Sequence, residues 1–193
     1  MGCISGLLFG LLQFVAVVLV AVGTPLAMFL PRGEHSSRIT SGYCITMWGI
    51  RDRCLLLVYS SKPQDVWAEC NGRAGRFKAA QVCAIAGVVI LAFSMLASAL
   101  DACCCCCIKY LCLLLNLVAA IVLSICWGSL LDCYLKKQGS HFVGAVDVCV
   151  PLQDFPGVDN SHPEGMQLGI GFIFLVIATA ISFANIFIIL IPC

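Results

Sequence analysis

The sequence predicts an all-α membrane protein: a four-transmembrane-helix bundle carrying a small disulfide-bonded extracellular β-sheet. Three observations predict it. The 193 residues are 61% hydrophobic and only 11% charged, far more apolar than a soluble domain of this size. The 11 basic and 10 acidic side chains fall into three segments, 32–78, 101–109 and 132–164, and leave four uncharged runs. Each run exceeds the roughly 20 residues a helix needs to cross about 30 Å of hydrocarbon, and none can cross twice. A bilayer core offers no partner to an exposed backbone N–H or C=O, so each run is expected to be helical.

In chain order, residues 1–31 are read as the first transmembrane helix. Gly23 and Ala27 near its end raise the alternative of a cleaved secretory signal, but the stretch lacks a basic n-region and its apolar core is about twice the usual 7–15 residues. Residues 32–78 form a large loop, 79–100 the second span, 101–109 a short link, 110–131 the third span, 132–164 a second large loop and 165–193 the fourth span. Four crossings place both termini and the link on one side and both large loops on the other.

Two rules disagree about which side is which. Eight Lys and Arg lie in the first loop and two in the second, against Lys109 alone on the link side, which by the positive-inside rule would put the loops in the cytosol. Cysteine placement argues the reverse. Cys44, Cys54, Cys70, Cys133 and Cys149 all lie in the large loops, where a lobe with little core needs disulfides that persist only in an oxidising compartment. The link reads DACCCCCIK, and Cys103, Cys104, Cys105, Cys106 and Cys107 stand at a membrane border, the typical setting of cytosolic S-palmitoylation; Cys3 is a further lipidation candidate. The sequence reading therefore puts the loops outside and both termini in the cytoplasm of a plasma-membrane protein.

Within the first loop, Tyr43 to Ile50 alternates and is rich in strand formers, and Cys54 to Tyr59 is a short apolar run ending in Ser-Ser-Lys-Pro. Both read as strands joined by a turn around Asp52. HFVGAVDV, residues 141–148, is a candidate further strand from the second loop. A Cys54–Cys70 bridge would close about 15 residues and constrain the unfolded loop by roughly 3 kcal/mol, and Cys133–Cys149 is similar in size. Five is odd, so Cys44 is left as a thiol, bridges between loops or pairs with another chain, and the connectivity stays open.

Residues 44–54 read C-I-T-M-W-G-I-R-D-R-C, and this stretch resembles the eleven-residue signature of the amastins, tetraspanning surface proteins of trypanosomatid parasites. Cys44, Ile45, Thr46, Trp48, Gly49, Arg51 and Cys54 fit that pattern, whereas Met47 departs mildly and Arg53 more clearly. FKAAQ, Phe77 to Gln81, where the second span begins, is also amastin-like. The plan of the chain matches as well, with a long signature-bearing first loop, a short link and a shorter second loop. The amastins are in turn similar in plan to claudins and peripheral myelin proteins. Gly49, Ile50 and Cys54 can be laid on the claudin first-loop frame, with Arg51 in place of its tryptophan and Cys70 as its second cysteine. That analogy does not transfer barrier formation.

Trp48 is expected to pack on the bundle top with its indole N–H bonded, and Arg51 and Arg53 to form a solvated or headgroup-facing pair. Inside the spans the large polar residues are Gln13, Asn116 and Asn185. They serve either as interhelical hydrogen-bond donors and acceptors or as the lining of a substrate path, and the first is favoured. Gly2, Gly6 and Gly10, Gly165 and Gly169, and Ser94 with Ser98 stand four residues apart and would let helix backbones approach within the bundle or between copies. No Asp, Glu, Lys, Arg or His occurs in any span, which argues against an ion-coupled pump.

The five-cysteine run admits a metal cluster in principle, but no histidine or second CxxC on that side completes a tetrahedral set; lipidated or plain membrane-edge cysteines are the favoured alternatives. His35, His141 and His162 are scattered over the loops and read as solvated. Gly6 stands where a myristoylation motif requires Ser or Thr. Asn71, Asn116, Asn160 and Asn185 all lie outside Asn-X-Ser/Thr, so any sugar must be O-linked. No hydrolase, metalloprotease or phosphate-loop motif and no nucleic-acid surface is present, and no cofactor is expected.

The resemblance implies a non-enzymatic multi-pass surface protein of a kinetoplastid parasite. Its expected partners are membrane lipid, a neighbouring membrane or host surface, and further copies of itself, for contact or membrane organisation. The alternative is a passive facilitator of small molecules or lipids through the bundle interior. Convergence of Gln13, Asn116 and Asn185 on a wet cavity would favour the facilitator, and separate buried bonds a packed bundle.

Overall fold

The structure, a computed structural model, describes residues 3–32, 43–54, 58–101, 107–143, 146–147, 149–155 and 165–190. Four long helices dominate: α1 (Cys3–Gly23), α3 (Asn71–Asp101), α4 (Cys107–Leu135) and α5 (Ile170–Leu190), with a single turn α2 (Pro63–Val66) before α3. All four are long and apolar enough to cross a membrane. They pack as a ring in the order α1, α3, α4, α5, with α5 closing on α1. Leu7, Phe14, Val82, Phe93, Ile121 and Phe187 point outward and are exposed, while Ala16, Ala80, Ala84, Ala119 and Ala178 are buried between helices. Small residues inside and large apolar ones outside are what a bundle in lipid requires, because close backbone approach rather than water exclusion holds the helices together.

The helices do not stop where the uncharged runs do. The first run is not helical to residue 31. Pro25, which has no N–H to donate, follows α1, and Ala27–Pro31 continues as strand β1. The last run likewise opens with a strand, Met166–Leu168, before α5. Conversely α3 starts eight residues before position 79, and α4 extends past both ends of 110–131. Charge does not break a helix once it leaves the hydrocarbon. Asp132 in the last turns of α4 bonds Arg76 of α3 and Lys136, each at 2.9 Å, so these extensions are pinned to each other above the apolar zone.

On the loop-bearing end sits a four-stranded antiparallel sheet. It consists of β3 (Ile50–Arg51), β2 (Cys44–Thr46), β1 and β6 (Met166–Leu168), in the order β3-β2-β1-β6; β4 (Phe142–Val143) and β5 (Val146–Asp147) lie apart from it. Phe29 of β1 is fully buried, edge-on to Phe77 of α3 at 6.3 Å and stacked on Tyr134 of α4 at 6.1 Å. The sheet therefore stands on the ends of α3 and α4.

Two strand expectations need correction. The hairpin of the first loop turns at residues 47–49, not around Asp52, and Cys54 lies in the following turn. Of the predicted Cys54–Tyr59 strand, residues 55–57 lie outside the described residues, and only an isolated bridge from Ser61 to Ile50 follows. Among the described residues of 141–148 none adds to the main sheet; β4 and β5 pair with each other instead.

Candidate functional site

The Cys44–Cys54 stretch is built around three residues with distinct local tasks, Thr46, Gly49 and Arg51. Thr46, fully buried, closes the hairpin turn. Its hydroxyl donates to the Gly49 carbonyl at 2.8 Å and accepts from the N–H groups of Trp48 and Gly49, both at 3.1 Å. Gly49 is required by proximity: a Cβ there would lie 2.5 Å from the Ser61 carbonyl oxygen and 2.9 Å from the Tyr59 ring. Arg51, only 4% exposed, donates to the Tyr59 hydroxyl at 2.7 Å and lies 4.5 Å above the Tyr59 ring centroid. Arg51 is thus not half of a solvated pair with Arg53. It is folded into the lobe, and Arg53 alone is exposed.

The hairpin is clipped to the bundle by the FKAAQ segment. Gln81 Nε2 donates to the carbonyl of Met47 at 2.8 Å, Phe77 is buried against Phe29, and Met47 is itself fully buried. Trp48 packs against the same core from a half-buried position. One stretch of α3 therefore fixes both the turn and the central strand of the sheet.

A second knot joins the two loops, and its bridge is neither of the two weighed from the sequence, whose connectivity was left open. Cys70 pairs with Cys149, 79 residues apart in sequence, rather than with Cys54. Cys133 remains a buried thiol on α4 rather than Cys149's partner. Beside this bridge is Arg73, a residue that the sequence did not single out and that is fully buried. Its guanidinium lies 4.4 Å above the Trp67 ring and 6.0 Å from that of Phe155, and it donates to the Val150 carbonyl. Trp67 and Phe155 meet edge to face at 5.6 Å. The signal that could have placed Arg73 is its position one turn after a cysteine at the head of a helix, where its neighbours are lobe rather than solvent.

Asp147 completes the knot. One of its oxygens accepts from the N–H groups of Cys149 at 3.0 Å and His141 at 3.1 Å, and the other pairs with Lys137 at 2.6 Å. The Lys137 ammonium, then the Cys149 N–H, hold this carboxyl down to about 2. Cys44 and Cys54 face each other as thiols within hydrogen-bond reach.

Inside the bundle the three amides divide into two clusters. Gln13 donates to the Leu91 carbonyl at 3.1 Å and accepts from Asn185 at 2.9 Å, linking α1, α3 and α5. Asn116 donates to Ser94 Oγ at 2.9 Å and to the Cys112 carbonyl at 3.0 Å, linking α4 to α3. All three are fully buried, and the two clusters meet α3 one turn apart, at Leu91 and Ser94.

The small-residue spacings have different fates. Gly6 and Gly10 have no atom within 4 Å of where a Cβ would be, so no neighbouring helix approaches closely at those two glycines. Gly165 and Gly169 are not a helix seam. Gly165 has φ +78° and its carbonyl accepts from Arg32 N–H at 2.9 Å, and Gly169 lies against the backbone of Ala27. Cys103 to Cys106, His35 and His162 lie outside the described residues. Cys3 and Cys107 open α1 and α4 on the link side. Among the described residues no group of three His, Cys, Asp or Glu could hold a metal.

A family model described as "Amastin surface glycoprotein" matches residues 14–189. No curated protein and no solved structure matches the chain.

Proposed function

The chain belongs to the amastin family of surface membrane proteins, and on that premise we propose that its disulfide-bonded lobe faces away from the cytosol and acts without catalysis as a contact surface. In this reading both termini and the cysteine-rich link are cytoplasmic, and the protein resides in the plasma membrane of a kinetoplastid. Its partners are a host or neighbouring membrane surface, further copies of the chain, and the surrounding lipid.

The observation that carries the reading is the Cys70–Cys149 bridge, which ties the two large loops together and needs an oxidising compartment to persist. Against the opposing count of loop cations stands the burial of Arg51 and Arg73 inside the folded lobe. The exposed apolar side chains of the lobe, Val58 at 75% and Phe142 at 63%, supply contact material. The bonding of Gln13 to Asn185 and of Asn116 to Ser94 supports a packed interior over a conduit.

An epitope inserted at Ser36 tests the orientation. Staining of intact cells is the expected result; staining only after permeabilisation would overturn orientation and contact role together. Vesicles carrying the purified protein should then tether to host-type vesicles through the lobe and lose that property when the lobe is proteolysed.

A further inference from the structure

Cys44 lies on β2 directly opposite Arg51 of β3. Through the bend at residues 52–54 the chain turns back, and the Cys54 thiol lies within hydrogen-bond reach of the Cys44 thiol. We propose that Cys44 and Cys54 form a second disulfide in the mature protein, closing the signature stretch into a covalent ring. The oxidant is a disulfide-bearing oxidoreductase of the compartment in which the lobe folds. This rests on the outward orientation proposed above.

Of the other loop cysteines, Cys70 and Cys149 are joined to each other and Cys133 is buried on α4. The odd count of five loop cysteines then resolves into two bridges and one buried thiol. The two sulfurs are also unequal. Cys54 is partly exposed, and the hydrogen bond it accepts from Cys44, helped by the Arg51 charge, lowers its pKa. Cys44 is fully buried, and donating that same bond raises its own. The exposed sulfur is therefore the nucleophile and the buried one resolves the intermediate.

The step balances as thiol–disulfide exchange. Cys54 thiolate attacks one sulfur of the oxidant's disulfide, forming a mixed disulfide and expelling the other oxidant sulfur as a thiolate. Cys44 gives its proton to that thiolate and attacks Cys54 Sγ, releasing the oxidant's remaining sulfur as a thiolate that takes up, through water, the proton Cys54 had lost on ionising. The pair gives up two electrons and two protons, and the oxidant departs as a dithiol. Once formed, the ring fixes the hairpin that carries Trp48 and the Arg51–Tyr59 stack.

The test is peptide mapping of full-length protein made in eukaryotic cells, denatured without reductant in the presence of N-ethylmaleimide. The expected result is a Cys44–Cys54 linked peptide with neither sulfur alkylated, alongside the Cys70–Cys149 peptide. The C54S variant should convert Cys44 to a fully alkylated residue while Cys70–Cys149 stays linked. Alkylation of both Cys44 and Cys54 in wild-type protein beside an intact Cys70–Cys149 bridge would overturn this inference and leave the orientation standing, as would a link from either sulfur to another chain. Alkylation of all four would remove the outward orientation and this bridge with it.

Discussion

The lobe uses one set of parts twice, at two different ranges. At the hairpin, Arg51 lies over Tyr59, eight residues away, beside the Cys44 and Cys54 thiols. At the junction of the loops, Arg73 lies over Trp67 and reaches Val150, 77 residues away, beside Cys70–Cys149. The first knot holds a local shape against its own loop. The second holds two loops, the start of α3 and the end of α4 in one arrangement, so much more chain entropy rests on it. Similar chemistry therefore has unequal weight, and what sets the weight is the length of chain each knot closes.

The comparison breaks most directly at the long-range bridge. Replacing Cys70 and Cys149 together by serine should destabilise the lobe by about 4.5 kcal/mol on the chain-entropy account of a 79-residue separation. Thermal unfolding in detergent, followed through tryptophan fluorescence, measures it. Next, Arg73→Met should cost about 3 kcal/mol, because a desolvated cation–ring stack and a charged hydrogen bond to Val150 are both lost. Arg51→Met should cost only about 1 kcal/mol by the same melt; equal losses would show that range does not decide.

Gly49→Ala sharpens the local side. Its Cβ meets the backbone oxygen of Ser61 rather than a flexible side-chain tip, so relief requires opening the hairpin from residues 59–61, at about 1–3 kcal/mol. Loss of slow amide exchange at Ile50 and Ser60 would report that opening.

The smallest effect concerns Asp147. Its folded pKa of about 2 lies below the ordinary 3.8, so its stabilising contribution is complete above about pH 4 and disappears as the pH falls through about 2. Asp147→Asn should lower the melting midpoint near neutrality and narrow the gap between the curves at about pH 5 and about pH 2.

The four spans were legible because ionised side chains cannot be left in hydrocarbon, and that constraint is written residue by residue. Where the helices end was not legible, because Pro25 and the Asp132–Arg76 pair act through chain geometry and through contacts between elements. In the lobe, the residues of the signature were visible but not their tasks. Gly49 is explained by Ser61, and Thr46 by the turn it closes. The pairing of Cys70 with Cys149 depends on how α3 and the second loop meet, which no spacing encodes. Arg73 was not singled out for the same reason: hydropathy assigns a guanidinium to water, whereas here two aromatic faces and a carbonyl replace the water.

β1 follows α1 after only residues 24–26, and β6 passes into α5 through Gly169. At that level Gly23 and Gly171 bring the two helices so close that a Cβ on Gly171 would lie 2.6 Å from the Gly23 carbonyl oxygen. There is no slack between rod and sheet on this side of the molecule. Whatever tilts the α1–α5 pair, a thinner bilayer or a change of lipid, must swing the lobe with it, so the angle at which the protein meets another surface is set partly by the membrane it stands in.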